Sequence, residues 1–122
     1  MVGGYKISEN YFGKISSNSR LIVIPIDQQG MADYETDISK RDNLKEFDFP
    51  KNEVEFLFDK GIVDVLNDTF GIWIDEYEEE IIKNEFLKET EKIISEHKDK
   101  IPVFYSALKL AMQKDTEMCL EL

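Results

Sequence analysis

Between Asp75 and Glu80 the chain reads Asp-Glu-Tyr-Glu-Glu-Glu, five carboxylates in six residues. Carboxylates at that density can serve acid/base catalysis, a cation, or the surface of a basic protein. The chain holds 26 acidic residues, so chance pairs are expected and none stands out as an acid/base couple. For a cation, Asn67-Asp68-Thr69-Phe70-Gly71 does not follow the ligand spacing of a calcium-binding loop. A plainer use also exists: carboxylates in the first turn of a helix oppose its macrodipole, each worth roughly 0.3–1 kcal/mol. Two or three acids suffice for that, and a longer run repels itself at i,i+3 and i,i+4. Helix entry and a basic partner therefore both stand as readings of the run.

Other reactive groups are sparse. His97, the single histidine, lies in Ser95-Glu96-His97-Lys98, where a helix C-terminus favours a cation for structural reasons alone. Cys119, the single cysteine, falls in an apolar run and reads as a buried, inert thiol. Without a CxxC pair or a Cys/His cluster, no metal is expected. Gly3-Gly4 is isolated, while Gly61 and Gly71 fit helix ends, so no phosphate-cradling loop and no cofactor is expected. The chain reads as a binding protein and not as an enzyme.

The charge is localised. The 122 residues carry 15 basic and 26 acidic side chains, a net of −11. Residues 31–80 hold 16 acids and 5 bases, and the remainder holds ten of each. The whole excess thus belongs to one stretch of 50 residues. It excludes general nucleic-acid binding and adsorption to anionic membranes, both of which need clustered Lys and Arg. Trp73 and Tyr77 flank Asp75-Glu76. Trp73, between two isoleucines, is expected in the core, and Tyr77, with its hydroxyl, is the better interface candidate.

The elements that must position these residues follow from periodicity. Tyr11 to Ile15 and Leu21 to Ile26 read as strands of an N-terminal hairpin, with Tyr5-Lys6-Ile7 as a further short strand. Pro25 places the second run at a strand end or sheet edge. Residues 28–49 read as loop with one short helix around Lys40 to Glu46. Pro50 opens a helix carrying Val54, Leu57 and Phe58 to Gly61, and Ile62, Val63, Val65 and Leu66 form another. Ile72-Trp73-Ile74 is an extended link. Asp75, with Glu78 three residues on, is expected to cap the longest helix, running to about His97. Pro102 opens the last helix, and Met118 to Leu122 forms a final strand docking on the N-terminal sheet. The result is a single α+β domain over residues 1–122: a small, mainly antiparallel sheet, made of the N-terminal hairpin and the C-terminal strand, packed by three or four helices. The longest apolar run has six residues, far short of a membrane span, and the N-terminus has no leader-like apolar stretch. A cytoplasmic protein is expected.

The segments Phe58-Asp59-Lys60-Gly61-Ile62-Val63-Asp64-Val65-Leu66-Asn67 and Gly71-Ile72-Trp73-Ile74-Asp75-Glu76-Tyr77-Glu78-Glu79-Glu80 resemble small bacterial immunity proteins. These neutralise the toxins of contact-dependent growth inhibition and related polymorphic toxin systems. The resemblance covers roughly residues 50–122, including the last helix and terminal strand, and none of the first 49. It implies a cytoplasmic protein that binds a cognate toxin domain, commonly a basic nuclease, in a 1:1 complex and catalyses nothing. An acidic face laid over such an active site would exclude RNA or DNA. On this reading Asp64, Asp68, Asp75, Glu76, Glu78, Glu79 and Glu80 face the partner and Tyr77 anchors it. The alternative is an acidic nucleic-acid mimic of the anti-restriction or anti-CRISPR type, which needs acids along a long ridge where this chain clusters them. A small carboxylate hydrolase is a third reading that no residue pattern here singles out.

Overall fold

The computed structural model describes residues 20–36 and 42–122. Four short strands make one antiparallel sheet in the order β2-β1-β4-β3. They are β1 (Leu21–Pro25), β2 (Leu44–Asp48), β3 (Glu79–Ile82) and β4 (Met118–Glu121). Five α-helices accompany them: α1 (Gln28–Thr36), α2 (Lys51–Asp59), α3 (Ile62–Phe70), α4 (Leu87–Ile94) and α5 (Pro102–Lys114). Asn84–Phe86 and Ser95–Lys100 are 3-10 turns on either side of α4. The α+β class and the antiparallel sheet agree with the sequence reading, and the terminal strand docks on the strand at Leu21 as expected.

β1 forms because five apolar residues in a row suit a strand covered on both faces. Ile22 and Ile24 point into the main core with Met118 and Leu120 of β4 and Ile82 of β3. Leu21 and Val23 point the other way, against Cys119 and Tyr34 of α1. α1 therefore covers one face, while α2 to α5 build the main core on the other. Fully burying side chains such as Ile22, Leu108 or Met118 stabilises the fold by roughly 1.5–3 kcal/mol each. Pro25 ends the strand, as expected, but β1 is an interior strand, paired with β2 on one side and β4 on the other.

The helices are tied by buried polar groups. Pro102 opens α5, and the Val103 and Phe104 N–H groups of its first turn donate to Glu53, 2.9 Å each. Glu53 is only 2% exposed and lies on α2, so one helix caps another. Asp115 closes α5 in the left-handed conformation, and Thr116 Oγ1 donates to Pro25 O at 2.7 Å. Gly30 is required by contact, since a Cβ there would collide with the Asn43 carbonyl.

Three expectations fail. The predicted long helix from Asp75 to His97 is instead a turn, strand β3, a 3-10 turn, α4 and a second 3-10 turn. Two causes act together: five carboxylates repel in one helix, and Glu79 to Ile82 gain a full ladder opposite β4. Residues 44–48 are strand β2 and not part of a helix around Lys40 to Glu46, because Phe47 pairs with Ile22 and packs on the core. Residues 28–36, expected as loop, are helix α1, whose single large buried side chain, Tyr34, gives little periodic signal. Tyr11 to Ile15 and Tyr5 to Ile7 lie outside the described residues, so the hairpin's first strand does too.

Candidate acidic and aromatic interface

The candidate surface is built on the segment between α3 and β3. α3 ends at Asn67 to Gly71 because Gly71 takes a left-handed φ of 68°, and the Gly71 and Ile72 N–H groups donate to Asn67 O. The Asn67 side chain then clamps the link that follows. Its Nδ2 donates to Ile74 O at 3.1 Å, and its Oδ1 accepts from Ile74 N at 2.6 Å. In an extended link, alternate side chains face opposite ways. Ile74 is buried and Ile72 packs on the core, so Trp73 between them points outward, 67% exposed. The expectation that Trp73 is core was wrong for that reason: two flanking isoleucines at period two argue against its burial.

Tyr77 is 85% exposed and has φ 66°, a conformation a bulky residue rarely adopts. The turn is held there by the terminal strand. Tyr77 N donates to Leu122 O at 3.2 Å, and Leu122 N donates to Glu78 O at 3.0 Å. Given that bond and the register of β3 with β4, Glu80 and Ile82 bond to β4, while Glu79 and Ile81 direct their backbone groups to the side away from β4, where no described strand pairs. Glu80 closes part of that side itself. Its Oε1 accepts from Ile81 N at 2.9 Å and its Oε2 accepts from Trp73 N at 2.8 Å. A single carboxylate thus blunts an edge strand and fixes the backbone of the exposed tryptophan.

The expected partner-facing residues therefore divide. Asp64 and Asp68 are exposed one turn apart on α3, on the helix that carries the Asn67 clamp. Glu76, Glu78 and Glu79 are exposed, and Asp75 is half-buried with Oδ1 accepting from Glu76 N at 2.8 Å. No ion pair among the described residues engages any of these six. Glu80 is half-buried, with both oxygens used by backbone N–H groups. Val65, 47% exposed on α3, adds an exposed apolar side chain.

Elsewhere the structure offers less. Ten apolar residues, among them Phe49, Phe58, Phe104 and Leu122, line a cavity of about 10 Å³, at the lower limit of room for one water molecule. An open cleft of about 240 Å³ lies between Asn84, Glu85, Leu87, Lys88, Met112 and Asp115. Among the described residues no three His, Cys, Asp or Glu side chains converge as a metal site. His97 packs edge-on to Phe56 with ring centres 5.6 Å apart and lies 3.3 Å from Glu96, and Cys119 is buried.

Glu117 is a functional-looking residue that the sequence did not mark. It is almost fully buried just ahead of β4, and burial, with Glu35 of α1 hydrogen-bonded to it, pushes its carboxyl up to about 7, with Lys83 opposing. Tyr34, which precedes Glu35 on α1, donates to Glu121 Oε2 at 2.8 Å, and burial raises that phenol well above its ordinary value. No sequence signal distinguishes Glu117 from the 25 other acids, because only the fold places it under α1. No helix among the described residues is long and apolar enough to cross a membrane. The chain matches no protein-family model, no curated protein and no solved structure.

Proposed function

We propose that this protein is an immunity or inhibitor protein that binds a basic toxin domain, one with nuclease activity, and occludes its active site. On this reading it acts in the cytoplasm, forms a 1:1 complex, and catalyses no reaction. The observation that carries it is the acidic surface: six carboxylates without an ion-pair partner among the described residues, four of them (Asp75, Glu76, Glu78 and Glu79) on the hydrogen-bonded segment that also exposes Trp73 and Tyr77. Unpaired surface charge of one sign raises the rate of encounter with a partner of the other sign. Exposed aromatics on a fixed backbone supply the slow dissociation step, because little ordering entropy remains to be lost.

The test is co-expression with the toxin domain encoded beside it. Wild-type protein should restore growth and co-elute with the toxin as one complex. Replacing Glu76, Glu78 and Glu79 together by Lys should slow association by at least tenfold at low salt, with the difference shrinking as salt rises. Glu80 is left intact in that variant because it holds the segment. A toxin that kills equally well in the presence of the wild-type protein would overturn the reading.

A further inference from the structure

Trp73 is the chain's single tryptophan and is 67% exposed, although tryptophan is among the more buried residue types on average. Neither face of its indole meets a ring or a cation among the described residues. Tyr105 shows the contrast within the same molecule: Lys98 and Lys109 lie over its ring at 5.6 and 5.9 Å. The backbone that presents the indole is held on both sides, by Glu80 at Trp73 N and by Asn67 at both polar groups of Ile74. Next along the chain come Asp75, Glu76 and Glu78, whose carboxylates have no cationic partner among the described residues.

An exposed indole followed along the chain by carboxylates that no cation among the described residues meets suits one side chain above others. The guanidinium of arginine is planar, stacks on an indole, and offers a fork of N–H donors to a carboxylate at its edge. The lysine ammonium is compact and strongly hydrated, and gains less from the ring. We propose that Trp73 is the docking platform for an arginine side chain of a basic protein partner, with Asp75, Glu76 and Glu78 drawing the guanidinium onto the ring. The proposal rests on the inhibitor reading only in taking the partner to be a basic protein, and it names the side chain that such a partner must present.

Because Trp73 is the only tryptophan, its fluorescence reports this contact alone. Deca-arginine and deca-lysine peptides carry equal charge and separate stacking from simple attraction. Deca-arginine should quench or shift the emission and bind at least about fivefold more tightly than deca-lysine. Binding of labelled peptides to Trp73→Ala, followed by anisotropy, should show that preference abolished, with deca-lysine affinity and thermal stability unchanged. Equal affinity of the two peptides for the wild-type protein overturns the proposal, as does an arginine preference that survives in Trp73→Ala or the absence of any binding at low salt. Toxin neutralisation with equal peptide affinities would sink the arginine platform alone. Arginine preference without neutralisation would sink the inhibitor reading alone.

Discussion

The face built by α4, α5 and the 3-10 turn between them and the segment from Gly71 to Ile82 are both rich in glutamate, yet they use it in opposite ways. On the helical face carboxylates meet basic side chains: Lys109 lies 2.9 Å from Glu91 and Lys92 3.9 Å from Glu89, and the His97 ring lies 3.3 Å from Glu96. Such exposed pairs contribute little to stability. What they achieve is that each of these carboxylates has a basic neighbour. On the 71–82 segment one carboxylate, Glu80, is bonded to backbone, Asp75 bonds locally, and Glu76, Glu78 and Glu79 are left exposed. A surface whose carboxylates are paired in one region and, among the described residues, unpaired in another directs a basic partner to the second. The comparison teaches that local pairing, and not glutamate content, decides which acidic region faces a partner.

The contrast can be broken first on its buried side. Glu53 belongs to neither surface, and Glu53→Ala leaves two buried N–H groups of α5 without an acceptor. A loss of about 3–4 kcal/mol is expected by urea denaturation, with Glu53→Gln losing less than half of that. A loss below about 1 kcal/mol would show that α5 does not depend on this cap.

Glu117 gives the next largest effect, and it depends on pH. Its folded-state pKa, about 7, is raised above the ordinary 4.5, so the folded protein holds a proton there that the unfolded chain has released. Stability should therefore fall as pH rises from about 4.5 to about 7, by up to about 3 kcal/mol from this group, and then level off. Glu117→Gln should remove that slope and be the more stable form at pH 8. Parallel stability profiles for the two proteins between pH 5 and 8 would refute the assignment.

Asn67→Ala tests whether the exposed segment is held or merely placed. Loss of both bonds to Ile74 should cost about 1–2 kcal/mol and open the segment to proteolysis between Gly71 and Glu78. Unchanged cleavage would show that Glu80 alone holds Trp73. The smallest effect is expected at the exposed carboxylates themselves. Single Glu76→Gln and Glu79→Gln changes should alter stability by less than about 0.5 kcal/mol, or raise it slightly by relieving repulsion. A loss above 1 kcal/mol, read from thermal melts, would mean these groups serve the fold and not a partner.

Much of the fold was legible along the chain. The helices after Pro50 and Pro102, the strand at Leu21 and the terminal strand each carry a local signature: a proline at the first turn, or a short apolar run. β3 was not legible, because Asp75 and Glu78 imitate a helix cap and only the partner strand β4 rewards the extended alternative. α1 was missed because it buries one large side chain, and periodicity needs several.

The candidate surface divides along the same line. Sequence alone determined that the excess charge lies within residues 31–80, since charge is a property of residue type and needs no fold. Only the tertiary structure decided which acids remain uncompensated, because that depends on what lies across from each carboxylate. Glu53 went to a helix N-terminus, Glu80 to two backbone N–H groups, Glu117 beneath α1, and Glu76, Glu78 and Glu79 to solvent. The same side chain became cap, latch, buried acid or open charge according to distances that form only when remote segments meet.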